Sequence, residues 1–97
     1  MPKVSPDEKQ YSIQLKERVA SSLKRLMFEH GITGVTLSKL TGFDPTYISQ
    51  LRSGTKLPNF ENFTILLESL PEESRNYFLQ LLFGKPISNV AEKSNTY

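Results

Sequence analysis

The sequence predicts an all-α protein, a compact bundle of five helices. Apolar residues recur at helical spacing in each central segment of the chain. Residues that favour helix starts and glycines that favour helix ends separate these segments. No alternating apolar run is long enough to predict a strand. The 97 residues suffice for one domain, which we expect at residues 11–84 between flexible tails at 1–10 and 85–97.

The first predicted helix carries an apolar stripe along one face. Its members recur at the spacing of an α-helix and are Leu15, Val19, Leu23, Leu26 and Met27. Charged side chains occupy most of the other faces, as in an amphipathic surface helix. Gly31 supplies the stop signal, because glycine readily adopts the left-handed conformation that ends helices.

The second predicted helix is short and has clear signals at both ends. Thr33 is expected to cap its start, since a Thr hydroxyl accepts a hydrogen bond from a free N–H group of the first turn. Leu37 and Leu40 are expected to be its buried residues, and Gly42 is expected to end it.

The third predicted helix starts at Asp44 and Pro45. An Asp side chain accepts hydrogen bonds from the first N–H groups, and proline at the first helical position has no N–H to lose. Ile48 and Leu51 are expected to face inward, and Gly54 is expected to end the helix.

The last two predicted helices are also amphipathic. Asn59 caps the fourth, whose broad apolar face comprises Phe60, Phe63, Leu66, Leu67 and Leu70. The fifth spans residues 72–83 and opens with Glu72 and Glu73, whose charges complement the helix dipole. Gly84 follows its last residue.

Composition narrows the classes of protein to consider. The chain has no cysteine, which excludes disulfides and thiolate metal sites. It has no run of about 18 apolar residues, so we expect no membrane span. The first residues lack the apolar segment of a secretory signal, so none is expected. The absence of cysteine favours a cytoplasmic location.

Charge is distributed unevenly along the chain. Residues 10–30 carry four basic and two acidic side chains, a net +2. Residues 31–60 carry three basic and one acidic, again +2, whereas residues 61–83 carry one basic and four acidic, a net −3. Such asymmetry suits a domain that binds a polyanion through one face.

The segment LSKLTGFDPTYISQLRSG, residues 37–54, joins the second and third helices through a glycine-containing turn. Ser38 is small where the two helices approach, and Gly42 permits a positive φ in the turn. Two short helices joined in this way predict a helix-turn-helix, whose second helix lies in the major groove of DNA.

With the flanking segments LKRLMFEHGIT and TKLPNFENFTILLESL, this stretch resembles the Cro/phage-repressor family of XRE-like helix-turn-helix regulators. The resemblance covers about half the chain and depends on the joint spacing of Leu37, Ser38, Gly42, Ile48, Leu51, Gly54 and Pro58. It implies a lambda-repressor-like bundle, a bacterial or phage transcriptional regulator, and sequence-specific binding to double-stranded DNA. Most such proteins bind a pseudo-palindromic site as a homodimer.

Carried over by position, the resemblance makes residues 44–53 the recognition helix. The implied base contacts are Thr46, Tyr47, Ser49 and Gln50. Of these, Gln50 ranks first, because a Gln amide can form a bidentate pair with adenine. The alternative is that these four are ordinary polar residues of a solvated helix.

Phosphate contacts are expected from side chains around the same helix, namely Lys39, Arg52, Thr55 and Lys56. The N–H groups at the starts of the second and third helices are further candidates, because the helix dipole favours an anion there. The two lysines are equally compatible with being ordinary surface residues.

The chain departs from the family pattern at two places. Many relatives have an Arg near the end of the first helix that pairs with a Glu near the end of the recognition helix, and this chain has Met27 and Arg52 at these two positions. Because both partners are replaced together, neither original charge is left buried without the other. We expect Met27 to pack on the aliphatic part of Arg52 and leave its guanidinium free for phosphate or a local carboxylate. Gly34 replaces a Gln that often binds phosphate.

The fifth helix is the predicted dimer contact. Its candidate interface residues are Tyr77, Phe78, Leu81, Leu82 and Phe83. This is more apolar surface than one small bundle readily buries. The alternative is that the middle three complete the core while the other two pack over its edge.

Other functions receive less support from the sequence. His30 is the only histidine and is expected to cap a helix end or to be solvated, so no catalytic residue is assigned. Metal ligands are lacking, and no cofactor, small-molecule ligand or membrane partner is expected. The main alternative is a helix-turn-helix bundle used as a protein-interaction module, either an adaptor or an antitoxin-like partner.

Overall fold

The computed structural model describes residues 6–84, with side chains from residue 10, and consists of α-helices and their connections. Its helices are α1 Pro6–Glu29, α2 Gly34–Thr41, α3 Pro45–Ser53, α4 Phe60–Ser69 and α5 Glu72–Phe83. No strand occurs in this part of the chain, which agrees with the predicted all-α class. Between residues 6 and 84, no helix has both the length and the apolar character that crossing a membrane requires.

The start of α1 differs from the sequence prediction. The helix begins at Pro6, so residues 6–10 of the expected N-terminal tail are helical. A proline is compatible with this start, because the first helical residues have no intrahelical N–H bond to lose. The rest of the expected tails, 1–5 and 85–97, lies outside the described residues.

The predicted caps of α2, α3 and α4 are confirmed. The side-chain oxygens of Thr33, Asp44 and Asn59 each accept a backbone N–H bond in the first turn, at 3.1, 2.7 and 2.7 Å respectively. Gly42 and Gly54 follow the ends of α2 and α3, both with φ of 81°. Local sequence signals therefore determine the bounds of the central helices.

One hydrophobic core joins all five helices. Its most deeply buried side chains include at least one from each helix: Leu23, Leu26, Leu37, Ile48, Leu51, Leu66 and Phe78. The long α1 packs against α3 and α5, while α2 packs against α3 and α4. The helix that carries the predicted base contacts is thus held from two sides.

Two predicted core residues are exposed. Leu40 lies three residues after Leu37 in the short α2 and is 45% exposed, whereas Leu37 is fully buried. Phe60 is 85% exposed, because it is the first residue of α4 and precedes the part of that helix that enters the core. The predictions of burial for Leu40 and Phe60 are wrong.

Two hydroxyl groups hold the turn between α2 and α3. Ser38 Oγ donates to the carbonyl oxygen of Phe43 at 2.6 Å, and the N–H of Phe43 donates to Thr41 Oγ1 at 3.0 Å. Gly42 supplies the left-handed residue between them. Phe43 itself packs against the core, so the turn is fixed by polar and apolar contacts together.

His30 connects the end of α1 to α5. Its Nδ1 lies 2.7 Å from the Oγ of Ser74, a buried hydroxyl, and its ring stacks on Tyr77 with centroids 5.1 Å apart. His30 thus lies at the helix end as expected, where its backbone N–H bonds to the carbonyl oxygen of Leu26 at 2.9 Å, but its ring packs against α5 instead of being fully solvated. Its partners lie in α5, too far along the chain for local sequence signals to indicate them.

A pair of glycine substitutions tests how the turn is stabilised. Gly42→Ala should lower the free energy of unfolding by about 1–2 kcal/mol, because a Cβ disfavours the positive φ although no atom lies within 4 Å of it. Gly34→Ala is the control: Gly34 is helical, and its added Cβ would meet only the flexible end of Arg52, so stability should stay the same or rise. Urea denaturation measures both, and equal stabilities would contradict this account of the turn.

Candidate nucleic-acid interface

Helix α3 has one buried face and one outward face. Ile48 and Leu51 are fully buried in the core, whereas Thr46, Ser49 and Ser53 are exposed. The exposed three are spaced by three and four residues and so share one side of the helix. This side presents hydroxyl groups to the solvent along the whole length of α3.

Gln50 lies at the edge of this outward face. It follows Thr46 by one helical turn and is half-buried. Three of the four residues predicted to contact bases, Thr46, Ser49 and Gln50, therefore lie together on the outer side of α3.

Tyr47, the fourth predicted base contact, is turned towards the protein. Its ring packs edge-to-face against Phe43, with centroids 5.1 Å apart, and its hydroxyl accepts a hydrogen bond from Asn62 Nδ2 at 3.0 Å. Tyr47 thus ties α3 to the first turn of α4. The residue follows Thr46 by about 100° around the helix, at the boundary of the two faces, so helical periodicity alone does not indicate which way it turns.

The chain folds back at the end of α3. The carbonyl oxygen of Gln50 accepts hydrogen bonds from the N–H groups of Thr55 at 3.0 Å and Lys56 at 3.3 Å. The Thr55 hydroxyl lies 2.7 Å from the Ser53 hydroxyl. These bonds hold Thr55 and Lys56, both exposed predicted phosphate contacts, beside the outward face.

Arg52 lies on the opposite edge of α3, near the start of α2. A Cβ added to Gly34 would lie 3.4 Å from Arg52 Nη1, so the guanidinium occupies space that a longer side chain at position 34 would share. Arg52, Gly34 and Met27 line one open groove of about 540 Å³, with Lys24 and Phe28 at its sides. Met27 and Arg52 thus line the same groove, and the packing of Met27 on the aliphatic part of Arg52 stays a prediction.

Three basic side chains, on α2, on α3 and just after α3, have no acidic partner within 4 Å among the described residues. Among residues 10–84, one ion pair has its charged atoms within 4 Å. It joins Arg25 Nε and Glu29 Oε2, at 3.9 Å, on the exposed surface of α1. Lys39, in the last turn of α2, and Lys56 are exposed, and Arg52 is half-buried. All three are therefore available to bind an anion.

The start of α2 adds backbone hydrogen-bond donors to the groove beside Arg52. Thr33 satisfies the N–H groups of Thr36 and Leu37, whereas the N–H groups of Gly34 and Val35 precede the first helical hydrogen bonds. The positive end of the α2 dipole and the Arg52 guanidinium thus face the same region, which favours an anion.

The predicted dimer residues of α5 are mostly in the core. Phe78 and Leu82 are buried, and Tyr77 and Leu81 are half-buried. Only Phe83 is largely exposed, at 63%. The expected contact through the α5 face therefore needs correction: α5 uses that face to pack on α1, and what it leaves exposed is its last residue.

No group of three or more His, Cys, Asp or Glu side chains in the described part of the chain is arranged to hold a metal ion.

Comparisons of the sequence with models of protein families, with curated proteins and with solved structures gave no significant match.

The position of Tyr47 leads to a prediction about its hydroxyl. Tyr47→Phe should lower the free energy of unfolding by about 0.5–1.5 kcal/mol, because the amide of the half-buried Asn62 loses its acceptor. Tyr11→Phe is a matched control on the exposed surface of α1 and should change stability by less. Urea denaturation of both variants measures the difference, and a larger effect at Tyr11 would contradict the assigned bond.

Proposed function

We propose that this chain is a sequence-specific DNA-binding transcriptional regulator, in which α2 and α3 form a helix-turn-helix and α3 enters the major groove. The observation that carries the proposal is the outward face of α3, where Thr46, Ser49 and Gln50 lie together on a helix fixed at both ends. The proposal includes membership of the Cro/phage-repressor family and a cytoplasmic place of action.

The side chains of this face suit the edges of base pairs. The Gln50 amide can donate to and accept from an adenine edge, and the hydroxyls of Thr46 and Ser49 can bond to either kind of base. The methyl group of Thr46 also suits the methyl group of thymine. Tyr47 is assigned a supporting role, since its hydroxyl already bonds to Asn62.

Phosphate contacts are proposed on both sides of α3. On one side, Arg52 and the N–H groups at the start of α2 would bind one phosphate, with the guanidinium compensating for glycine at position 34. On the other side, Lys56 and the hydroxyl of Thr55, both exposed, would bind another. Lys39 would contact the same strand as α2 crosses the backbone.

A protein-interaction module is the second candidate, and the groove beside Arg52 supports it. Phe28 lines this groove and is 84% exposed, which is unusual for a phenylalanine on a surface that binds only phosphate. An apolar partner that covered Phe28 would make this groove a protein interface. The two candidate functions predict a different dependence of binding affinity on salt concentration.

Substitution of Gln50 tests direct base contact. Gln50→Ala should weaken binding to the preferred duplex, obtained by selection from a random pool, by about 1–3 kcal/mol and relax the sequence preference. Gln80→Ala, which removes the same amide from the exposed side of α5, should leave affinity unchanged. Fluorescence anisotropy titrations provide both measurements, and equal losses for the two variants would remove the assignment of Gln50.

Salt dependence tests the phosphate contacts. Affinity for random duplex should fall steeply as salt rises, because Lys and Arg release counterions when they bind phosphate. Lys56→Ala should weaken binding to preferred and random DNA alike and reduce the salt slope by about one. Arg25→Ala removes the same charge from the outer side of α1 and should alter the slope less. Affinity indifferent to salt would instead favour the protein-interaction module.

A further inference from the structure

We propose that the groove beside Arg52 binds an acidic segment of a partner protein, and that this segment competes with DNA for the same guanidinium. Seven residues from α1, α2, α3 and the connection between α1 and α2 line the groove. Lys24 and Arg52 are basic, and none of the seven is acidic. A groove lined in this way is complementary to a negatively charged partner.

Phe28 indicates that the partner also presents an apolar side chain. The residue is 84% exposed, so of an aromatic surface of about 150–250 Å² roughly 130–210 Å² lies in water. The half-buried Ile32 lines the same groove. A DNA phosphate would leave this apolar surface in water, whereas protein interfaces are enriched in aromatic residues. The exposed ring is therefore better explained by a protein partner than by DNA alone.

The basic and aromatic groups are placed so that one short segment can contact both. Lys24 and Phe28 are one turn apart on α1 and share a face of that helix. Arg52 Nη1 reaches the start of α2, 3.4 Å from the position of a Cβ added to Gly34. A carboxylate can accept two parallel hydrogen bonds from this guanidinium while a neighbouring apolar side chain packs on Phe28.

The charges of the groove are not compensated within the described residues. Glu29 follows Phe28 but pairs with Arg25, at 3.9 Å, and neither residue of that pair lines the groove. Neither Lys24 nor Arg52 has an acidic side chain within 4 Å in residues 10–84. An incoming carboxylate therefore meets these two charges without displacing an existing ion pair.

The shape of the groove favours a protein segment over a small molecule. Sites for small molecules usually bury about 70–90% of the ligand surface. This groove has a volume of about 540 Å³ but is open to the solvent, so it would cover only one side of what it binds. A segment that projects from a folded partner needs only one covered side.

Binding of such a segment would regulate DNA binding. Arg52 is the proposed phosphate contact on this side of α3, so a carboxylate on its guanidinium excludes the phosphate. This step rests on the proposed function. The partner and DNA would occupy the chain in turn, whereas the second candidate function replaces DNA by a protein.

The test begins with a selection from a library of random short peptides displayed on phage, using the immobilised full chain. The enriched peptides should combine Asp or Glu with an aromatic or large aliphatic residue. A synthetic copy of one enriched peptide, labelled with a fluorophore, then serves as the probe in anisotropy titrations. A second copy of this peptide, with its carboxylates replaced by amides, should bind about tenfold more weakly or worse.

Two matched pairs of variants locate the binding site. Phe28→Ser and Lys24→Gln should each raise the Kd of the peptide, by about tenfold for the aromatic residue. Phe60→Ser changes an equally exposed phenylalanine outside the groove, at 85%, and Arg25→Gln removes a charge from the residue next to Lys24. Both controls should keep the parental Kd, and circular dichroism should show all the proteins equally helical.

A displacement experiment tests the competition. The unlabelled peptide should release a labelled duplex from the parental chain. At the same peptide concentration it should release little duplex from Phe28→Ser, which is expected to bind the duplex with parental affinity because DNA does not use the ring. Simultaneous binding of the peptide and the duplex overturns the proposal.

The remaining outcomes separate this proposal from the proposed function. Enrichment of no acidic peptide overturns the proposal alone, whether a second copy, residues 85–97 or an anionic lipid surface covers the groove. Equal effects of Phe28→Ser and Phe60→Ser overturn it as well. A chain that binds the peptide with the expected variant pattern but binds no DNA supports the groove as a protein site and overturns the proposed function.

Discussion

The arrangement of the whole molecule depends on the burial of Ile48 and Leu51. These two side chains attach α3 to the common core, and each removes an apolar surface worth about 1.5–3 kcal/mol from water. Because they lie on one side of a short helix, their burial also decides which residues face the solvent. The polar face, the proximity of Arg52 to Gly34 and the bond from Asn62 to Tyr47 all follow from this placement.

Directional hydrogen bonds supplement the apolar contacts that hold α3 in the core. The hydroxyls of Ser38 and Thr41 hold the turn before α3, Asp44 caps its start, and Asn62 fixes Tyr47 on its flank. Hydrogen bonds of this kind contribute only about 0.5–1.5 kcal/mol each, but they act in defined directions. Core burial thus keeps α3 in place, and the hydrogen bonds determine its orientation relative to α2 and α4.

Much of the fold could be predicted from the sequence, because caps, glycine stops and apolar periodicity act over a few residues. The bounds of α2, α3 and α4 and the inward positions of Ile48 and Leu51 are of this kind. The burial of side chains at the boundary of a helix face was harder to predict, because it depends on neighbours that are distant in the chain. Tyr47 turns inward towards Asn62, and Phe60 stays exposed at the start of α4.

The separation of the two faces of α3 has a consequence for how such a chain can evolve. Residues that maintain the fold and residues that face the solvent belong to different sides of one helix. Replacements on the outer side at Thr46 or Ser49 change stability by only about 0.5 kcal/mol, as is usual for exposed sites. Outer-face replacements can therefore accumulate one at a time while the scaffold stays intact, so that descendants of one ancestral chain can diverge in what they recognise.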